Sequence, residues 1–199
     1  MMVVGKDGFL VNIRRQLSPD IGGALEPEAI VLHYTGAGSA EGSIDWLSRK
    51  DEIFVSAHLV ISRVGSVTQL IPFNRVAWHA GVSQWQGRPA LNKWSIGIEL
   101  ANHGPLQSAA SGYAKTQRGD LLLPREVYSG YHKNGKTAQN LWEAYLHAQV
   151  LRCLQVCQAI IRAYPAVKLV LGHDDVAPER KTDPGPAFPM EDFRACLLS

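Results

Sequence analysis

Apolar residues fall along this chain in short, dense runs separated by polar and glycine-containing stretches, the rhythm of buried strands alternating with covering helices. Ala29-Ile30-Val31-Leu32-His33-Tyr34-Thr35 is apolar and β-branched, the pattern of a strand buried on both faces, and it stops at Gly36-Ala37-Gly38. Between Ser39 and Lys50, Ile44, Trp46 and Leu47, with Ser39 and Ser43 as candidate caps, predict a short amphipathic helix covering the sheet. Ala57–Ser62 and Val67–Ile71 read as strands joined at Arg63-Val64-Gly65-Ser66, a hairpin that makes the sheet mixed. Ser95–Ala101 is another buried strand, with Ile96, Ile98 and Leu100 on one face and Gly97, Glu99 and Ala101 on the other. A helix is expected from about Leu141 to Ala163, with Thr137 or Asn140 as caps and a buried stripe of Leu146, Val150, Cys153, Leu154, Cys157, Ile160 and Ile161. Val167–Leu171 returns as the last central strand, and Met190–Leu198 suits a closing helix.

Two stretches break this rhythm. Residues 1–27 mix Gly, Pro and charge and read as a lead-in with at most a short element around Phe9 to Arg14. Residues 103–139 exceed the ~12–15 residues usual for an unstructured loop and read as an insertion beside the site. The aromatic loop holding Trp78, Trp85 and Trp94 suits either a binding wall or a packed loop. The expected fold class is therefore α/β, a single domain over residues 1–199 with a central mixed β-sheet flanked by helices.

Composition narrows the function classes. A chain of 199 residues fits one domain, and with 46% hydrophobic and 19% charged residues it has the balance of an ordinary soluble protein. A net charge of +2 gives no field for gripping nucleic acid, and no apolar run approaches the ~20 residues of a membrane span. Met1-Met2-Val3-Val4-Gly5-Lys6-Asp7 lacks the features of a signal peptide, so the chain is expected in the cytoplasm as synthesised, meeting cell wall after lysis or delivery. Three cysteines cannot all pair within the chain, and Cys153 and Cys157 at i, i+4 on an apolar stripe are expected to be core thiols rather than a zinc motif.

The chemistry concentrates near the C-terminus. Leu169-Val170-Leu171-Gly172 ends a buried strand at a turn, which then delivers His173, Lys181 and Asp183 on one loop, stiffened by Pro184-Gly185-Pro186. An imidazole and a carboxylate can hold a metal, but a zinc site with an open position needs a third ligand from elsewhere. His33 interrupts a buried strand at its C-terminal end, where open α/β sheets place their sites; a core histidine bonded to a carbonyl is the alternative. Glu99 is a carboxylate on a buried strand, so it is either ion-paired, protonated or facing a functional cavity.

Leu32-His33-Tyr34-Thr35, Ser56-Ala57-His58, Ala77-Trp78-His79-Ala80-Gly81, Ser95-Ile96-Gly97-Ile98-Glu99-Leu100 and Gly172-His173-Asp174-Asp175 through Arg180-Lys181-Thr182-Asp183-Pro184-Gly185-Pro186 occur in this order. Together they resemble the zinc-dependent N-acetylmuramoyl-L-alanine amidases, the family that also includes peptidoglycan recognition proteins. The resemblance covers most of the span from Ala29 to Phe193. It implies His33, His173 and Asp183 as zinc ligands, Glu99 as general base and Lys181 as oxyanion partner. It also implies His79 and Asn102, with Trp78, along the muropeptide groove; His58 is either a groove residue, a residue behind the ligands or a core residue, rather than a ligand.

The implied reaction is hydrolysis of the amide joining N-acetylmuramic acid to L-alanine of the stem peptide, on peptidoglycan or a soluble muropeptide, by a monomer with Zn2+ as cofactor. A binding module without catalysis and a zinc hydrolase of another stem-peptide amide are the alternatives. The insertion carries Lys115, Arg118, Arg125, Lys133 and Lys136 against Asp120 and Glu126, together with Tyr113, Tyr128 and Tyr131. It is expected to form one wall of the groove, separable from metal binding.

Overall fold

The computed structural model describes residues 1–50, 54–135, 138 and 140–198. Along the chain lie β1 (Arg14–Arg15), β2 (Ala29–Tyr34), α1 (Ala40–Ser48), β3 (Leu59–Ile61), β4 (Val67–Gln69), β5 (Gln84–Trp85), β6 (Arg88–Pro89) and β7 (Ser95–Leu100). They are followed by β8 (Pro105–Ser108), β9 (Ala114–Lys115), β10 (Leu121–Leu122), β11 (Val127–Ser129), β12 (Leu141–Glu143), α2 (His147–Ala163), β13 (Leu169–Gly172), α3 (His173–Val176) and α4 (Met190–Leu198). The main sheet has the order β1-β4-β3-β7-β2-β13. Its centre, β3, β7, β2 and β13, is parallel, and β4 runs antiparallel to β3 through the expected hairpin, so the sheet is mixed.

Side-chain alternation along the parallel strands sorts two layers. Ile30, Leu32, Ile96, Ile98, Leu100, Leu59 and Ile61 face α2 and α4, packing on Cys153, Val156, Cys157, Ile160 and Phe193. On the other face Val60 meets Ile44 and Leu47 of α1, and Ala29, Val31 and Leu171 meet Leu91 and Trp94. Ser39 caps α1 by accepting from Gly42 N at 3.2 Å. In-register pairing sets His33 beside Glu99, both on the α1 side at the C-terminal ends of their strands. The chemistry therefore sits on the face that α2 leaves free.

Two expectations need correction. The helix begins at His147, not near Leu141: Leu141–Glu143 is a strand paired with β8 and β11, with Trp142 fully buried. Leu146 is the cap residue with extended backbone and is 40% exposed, so it belongs to no stripe. Asn140 precedes β12 and caps nothing; Thr137 lies outside the described residues. The insertion is a second sheet of order β10-β9-β8-β12-β11, and its last strand extends the unit beyond residue 139 to Glu143. The lead-in carries a short strand near the expected place, β1, which adds a parallel edge to β4, and its Leu10 and Leu25 join the core.

Candidate active site

β2, β7 and β13 end around a cleft of ≈ 630 Å³. Its floor holds His33, Glu99, His173 and Asp183, and its rim includes Trp46, Arg118, Arg180 and Lys181. His33 comes from β2, His173 opens α3 directly after β13, and Asp183 is held beside it because Asp174 N donates to Asp183 O at 2.8 Å. His33 Nδ1 lies 2.8 Å from His173 Nδ1, and each nitrogen lies 2.9 Å from Asp183 Oδ2. All three side chains are buried.

Proton positions follow from the outer partners. His173 Nε2 faces Ala80 O at 3.1 Å; a carbonyl only accepts, so that nitrogen carries a hydrogen and the Nε2–H tautomer has its lone pair inward at Nδ1. A longer relay fixes His33. Ser95 Oγ donates to Leu91 O at 2.6 Å, leaving only acceptors, Ser95 O and Oγ, in front of His79 Nε2 at 3.4 Å. His79 thus donates from Nε2 and accepts at Nδ1 from His33 Nε2, 3.0 Å away, so His33 also turns its Nδ1 lone pair inward. Burial and then His173 push His33 down to about 4, so it is neutral at physiological pH.

Two imidazole lone pairs and one carboxylate therefore converge with no hydrogen between them, which is a donor set for a cation. The group His33, His173 and Asp183 is consistent with a metal site. Two neutral ligands and one anionic ligand match a catalytic zinc centre with a coordination position left for water or substrate.

Glu99 lines the same cleft, and its buried Oε2 has no hydrogen-bond partner. Leaving a buried acceptor unpaired costs ~1–3 kcal/mol, and such groups mark places where a proton is handled. Burial, followed by the Asp183 charge, raises the Glu99 carboxyl well above its ordinary value, against the pull of Lys181. Tyr34 Oη and Thr182 Oγ1 are 2.6 Å apart, tying the loop segment between Lys181 and Asp183 to the end of β2.

The four residues assigned to the groove separate. His79 lines the cleft, but its ring stands behind His33. It fits there because Gly97 has no side chain: a Cβ at that position would come within 2.3 Å of His79 Cγ. His58 is in the core, donating from Nε2 to Arg75 O at 2.9 Å and accepting at Nδ1 from Gly97 N at 3.0 Å, so neither ring nitrogen is available. Asn102 is buried and committed to Glu143 O and Gly104 N. Trp78 is 37% exposed and does not line the cleft; Trp94 packs into the core as the packed-loop reading has it.

The insertion is braced against the loop that carries His173 and Asp183. His132 accepts from Asn134 N at Nδ1 and donates from Nε2 to Asp174 Oδ2 at 3.1 Å, one residue from His173. Lys133 reaches both Asp174 and Asp175, and Asn134 Nδ2 donates to Asp174 O at 3.0 Å. At its base, buried Glu143 receives His103 N and Nδ1 and the Arg63 guanidinium. The geometry of that loop and the insertion are thus mechanically joined, whereas the sequence led us to expect them to be separable. The insertion's aromatics do not reach the cleft; Tyr128 and Tyr131 border another groove of ≈ 400 Å³ with Lys133 and Pro186.

A family model described as N-acetylmuramoyl-L-alanine amidase matches residues 23–186. The chain belongs to that family. It is 33% identical to the 1,6-anhydro-N-acetylmuramyl-L-alanine amidase AmpD of Escherichia coli K12, over 96% of each chain. A crystal structure of a selenomethionine AmpD derivative superposes with TM-score 0.71 at 30% identity, covering 98% of this chain and 99% of that one. The E. coli amidase AmiD, solved with the substrate anhydro-N-acetylmuramic acid-L-Ala-D-γ-Glu-L-Lys, superposes with TM-score 0.64 at 29% identity, covering 98% of this chain and 65% of that one. These neighbours match the expected fold, a mixed sheet flanked by helices. Among the described residues, no helix is long and apolar enough to cross a membrane.

Proposed function

We infer that this chain hydrolyses the amide between N-acetylmuramic acid and the L-alanine of a muropeptide stem, with zinc on His33, His173 and Asp183. The observation that carries the reading is the convergence of three lone-pair donors beside an unpartnered carboxyl, in a member of the amidase family. When bound, zinc supplies Lewis acidity, polarising the scissile carbonyl and acidifying a water. The remaining work belongs to the chain. Glu99, which lines the cleft with its Oε2 free of protein partners, takes the proton of the attacking water and returns one to the leaving nitrogen of L-alanine. Its raised affinity for a proton suits the second half of that cycle, when the carboxyl must donate. Lys181, whose charge acts on both Glu99 and His33, stabilises the negative oxygen that develops on the former carbonyl. His79 and Ala80 O hold the two imidazoles in the tautomers that aim Nδ1 at the metal.

The test is hydrolysis of a purified anhydro-muramyl peptide before and after chelation. Activity should vanish with zinc removal and return when one equivalent per chain is restored. Full activity in a protein shown by elemental analysis to be free of metal would overturn the assignment.

A further inference from the structure

Three basic side chains border the cleft: Arg118, Arg180 and Lys181. Their commitments differ. Arg180 donates from Nη2 to Ala80 O at 2.8 Å and Val82 O at 2.9 Å, so it braces the loop that also orients His173. Lys181 sits between two residues of the ligand loop and acts electrostatically on Glu99 and His33. The Arg118 guanidinium has no hydrogen bond or ion pair to any described residue, although its backbone N donates to Thr116 Oγ1.

That contrast is built into a turn. Arg118 stands at the tip of the β9–β10 hairpin, where buried Thr116 acts as a hub: its Oγ1 accepts from Arg118 N at 3.2 Å and Asp120 N at 3.1 Å and lies 3.3 Å from Asp120 Oδ2. Thr116 O accepts from Gly119 N at 3.0 Å, and Gly119 takes φ +93°, which a side chain would oppose. The hairpin in turn rests on β8 and on the sheet anchored at Glu143. A fixed backbone therefore presents one unpartnered guanidinium to the cleft, which Trp46 and Ser39 of the α1 side also line.

We propose that Arg118 is a specificity-determining residue that receives a carboxylate of the substrate's stem peptide. This rests on the amidase reading. A guanidinium fork matches a carboxylate bidentately, and a pre-ordered turn lowers the entropy of forming that pair. Peptides of the class seen with AmiD, L-Ala-D-γ-Glu-L-Lys, carry two such groups: the α-carboxylate that a γ-linkage leaves free, and the terminal carboxylate. Arg118 recognises a carboxylate, and amidating each in turn identifies which.

The experiment measures kcat and KM of the zinc-loaded full chain and its Arg118→Ala and Arg118→Lys variants on anhydro-N-acetylmuramyl-L-Ala-D-γ-Glu-L-Lys and on two analogues, each amidated at one carboxylate. Binding of each peptide to Glu99→Gln and to Glu99→Gln combined with Arg118→Ala is measured by calorimetry. Arg118→Ala should raise KM roughly tenfold on the unmodified peptide, the worth of one charged hydrogen-bonded contact, with kcat and zinc content unchanged. Arg118→Lys should recover part of that loss. On the analogue lacking the relevant carboxylate, wild type and Arg118→Ala should coincide. Equal KM for wild type and Arg118→Ala on the unmodified peptide, or an equal loss on all three peptides, would overturn the proposal while leaving the amidase reading intact. Arg118-dependent binding without cleavage by the wild type would overturn the amidase reading and support the anchor.

Discussion

His33 Nε2 and His79 Nδ1 face each other at 3.0 Å, ring edge to ring edge, and that contact decides which nitrogen of His33 looks into the active site. Without an acceptor behind it, His33 loses its reason to hold the hydrogen on Nε2. His79→Ala should therefore lower zinc affinity ~10- to 100-fold, the usual cost of removing a partner behind a ligand. His79→Gln, with an amide oxygen to accept from His33, should recover part of it. Competition against a chromogenic chelator reads the effect directly; unchanged affinity in His79→Ala would show that the relay does not orient the ligand.

Glu99→Gln keeps the shape of the side chain and removes its ability to carry a proton. It should retain zinc and the fold while lowering kcat by on the order of 10² to 10⁴. Lys181→Ala should lose roughly 10² to 10³ through the missing oxyanion partner, again with zinc retained. Near-normal turnover in either variant, with metal content verified, would remove that residue from the mechanism.

The brace between insertion and ligand loop makes a different prediction. His132→Ala leaves Asp174 buried without its ring partner, so the protein should be destabilised by about 1–3 kcal/mol. Because Asp174 neighbours His173 and its backbone holds Asp183, zinc affinity should fall as well. Urea unfolding with and without zinc, compared with chelator competition, measures both. A variant with normal stability and normal affinity would mean that the insertion is tethered to the loop without supporting it.

β2 and β13 were readable as apolar runs ended by glycine, and alternation along β7 already put Glu99 on the face opposite Ile96, Ile98 and Leu100. His33, His173 and Asp183 were readable as a trio only through the order of the motifs, since 140 residues separate the two histidines and nothing local pairs them. The second sheet was not readable. Its strands are two to four residues long, too short for a period to register. Leu141–Glu143 merged into the helix pattern because Leu141 and Trp142 are spaced plausibly for either element, and only tertiary pairing with β8 and β11 decides. Asn102 and His58 look functional by residue type, yet each has its polar atoms committed to backbone. Arg118 stood in the sequence only as one charge among several, because its significance comes from where a hairpin tip ends up.

The central claim is that one particular amide is cut, and product identification by mass spectrometry after incubating the zinc-loaded protein with anhydro-N-acetylmuramyl-L-Ala-D-γ-Glu-L-Lys tests it most directly. The account predicts two products, the anhydro-muramic acid with its lactyl carboxylate free and an intact tripeptide with a new L-alanine amino terminus. A cut within the tripeptide, or recovery of the intact muropeptide from protein with verified zinc content, would contradict it.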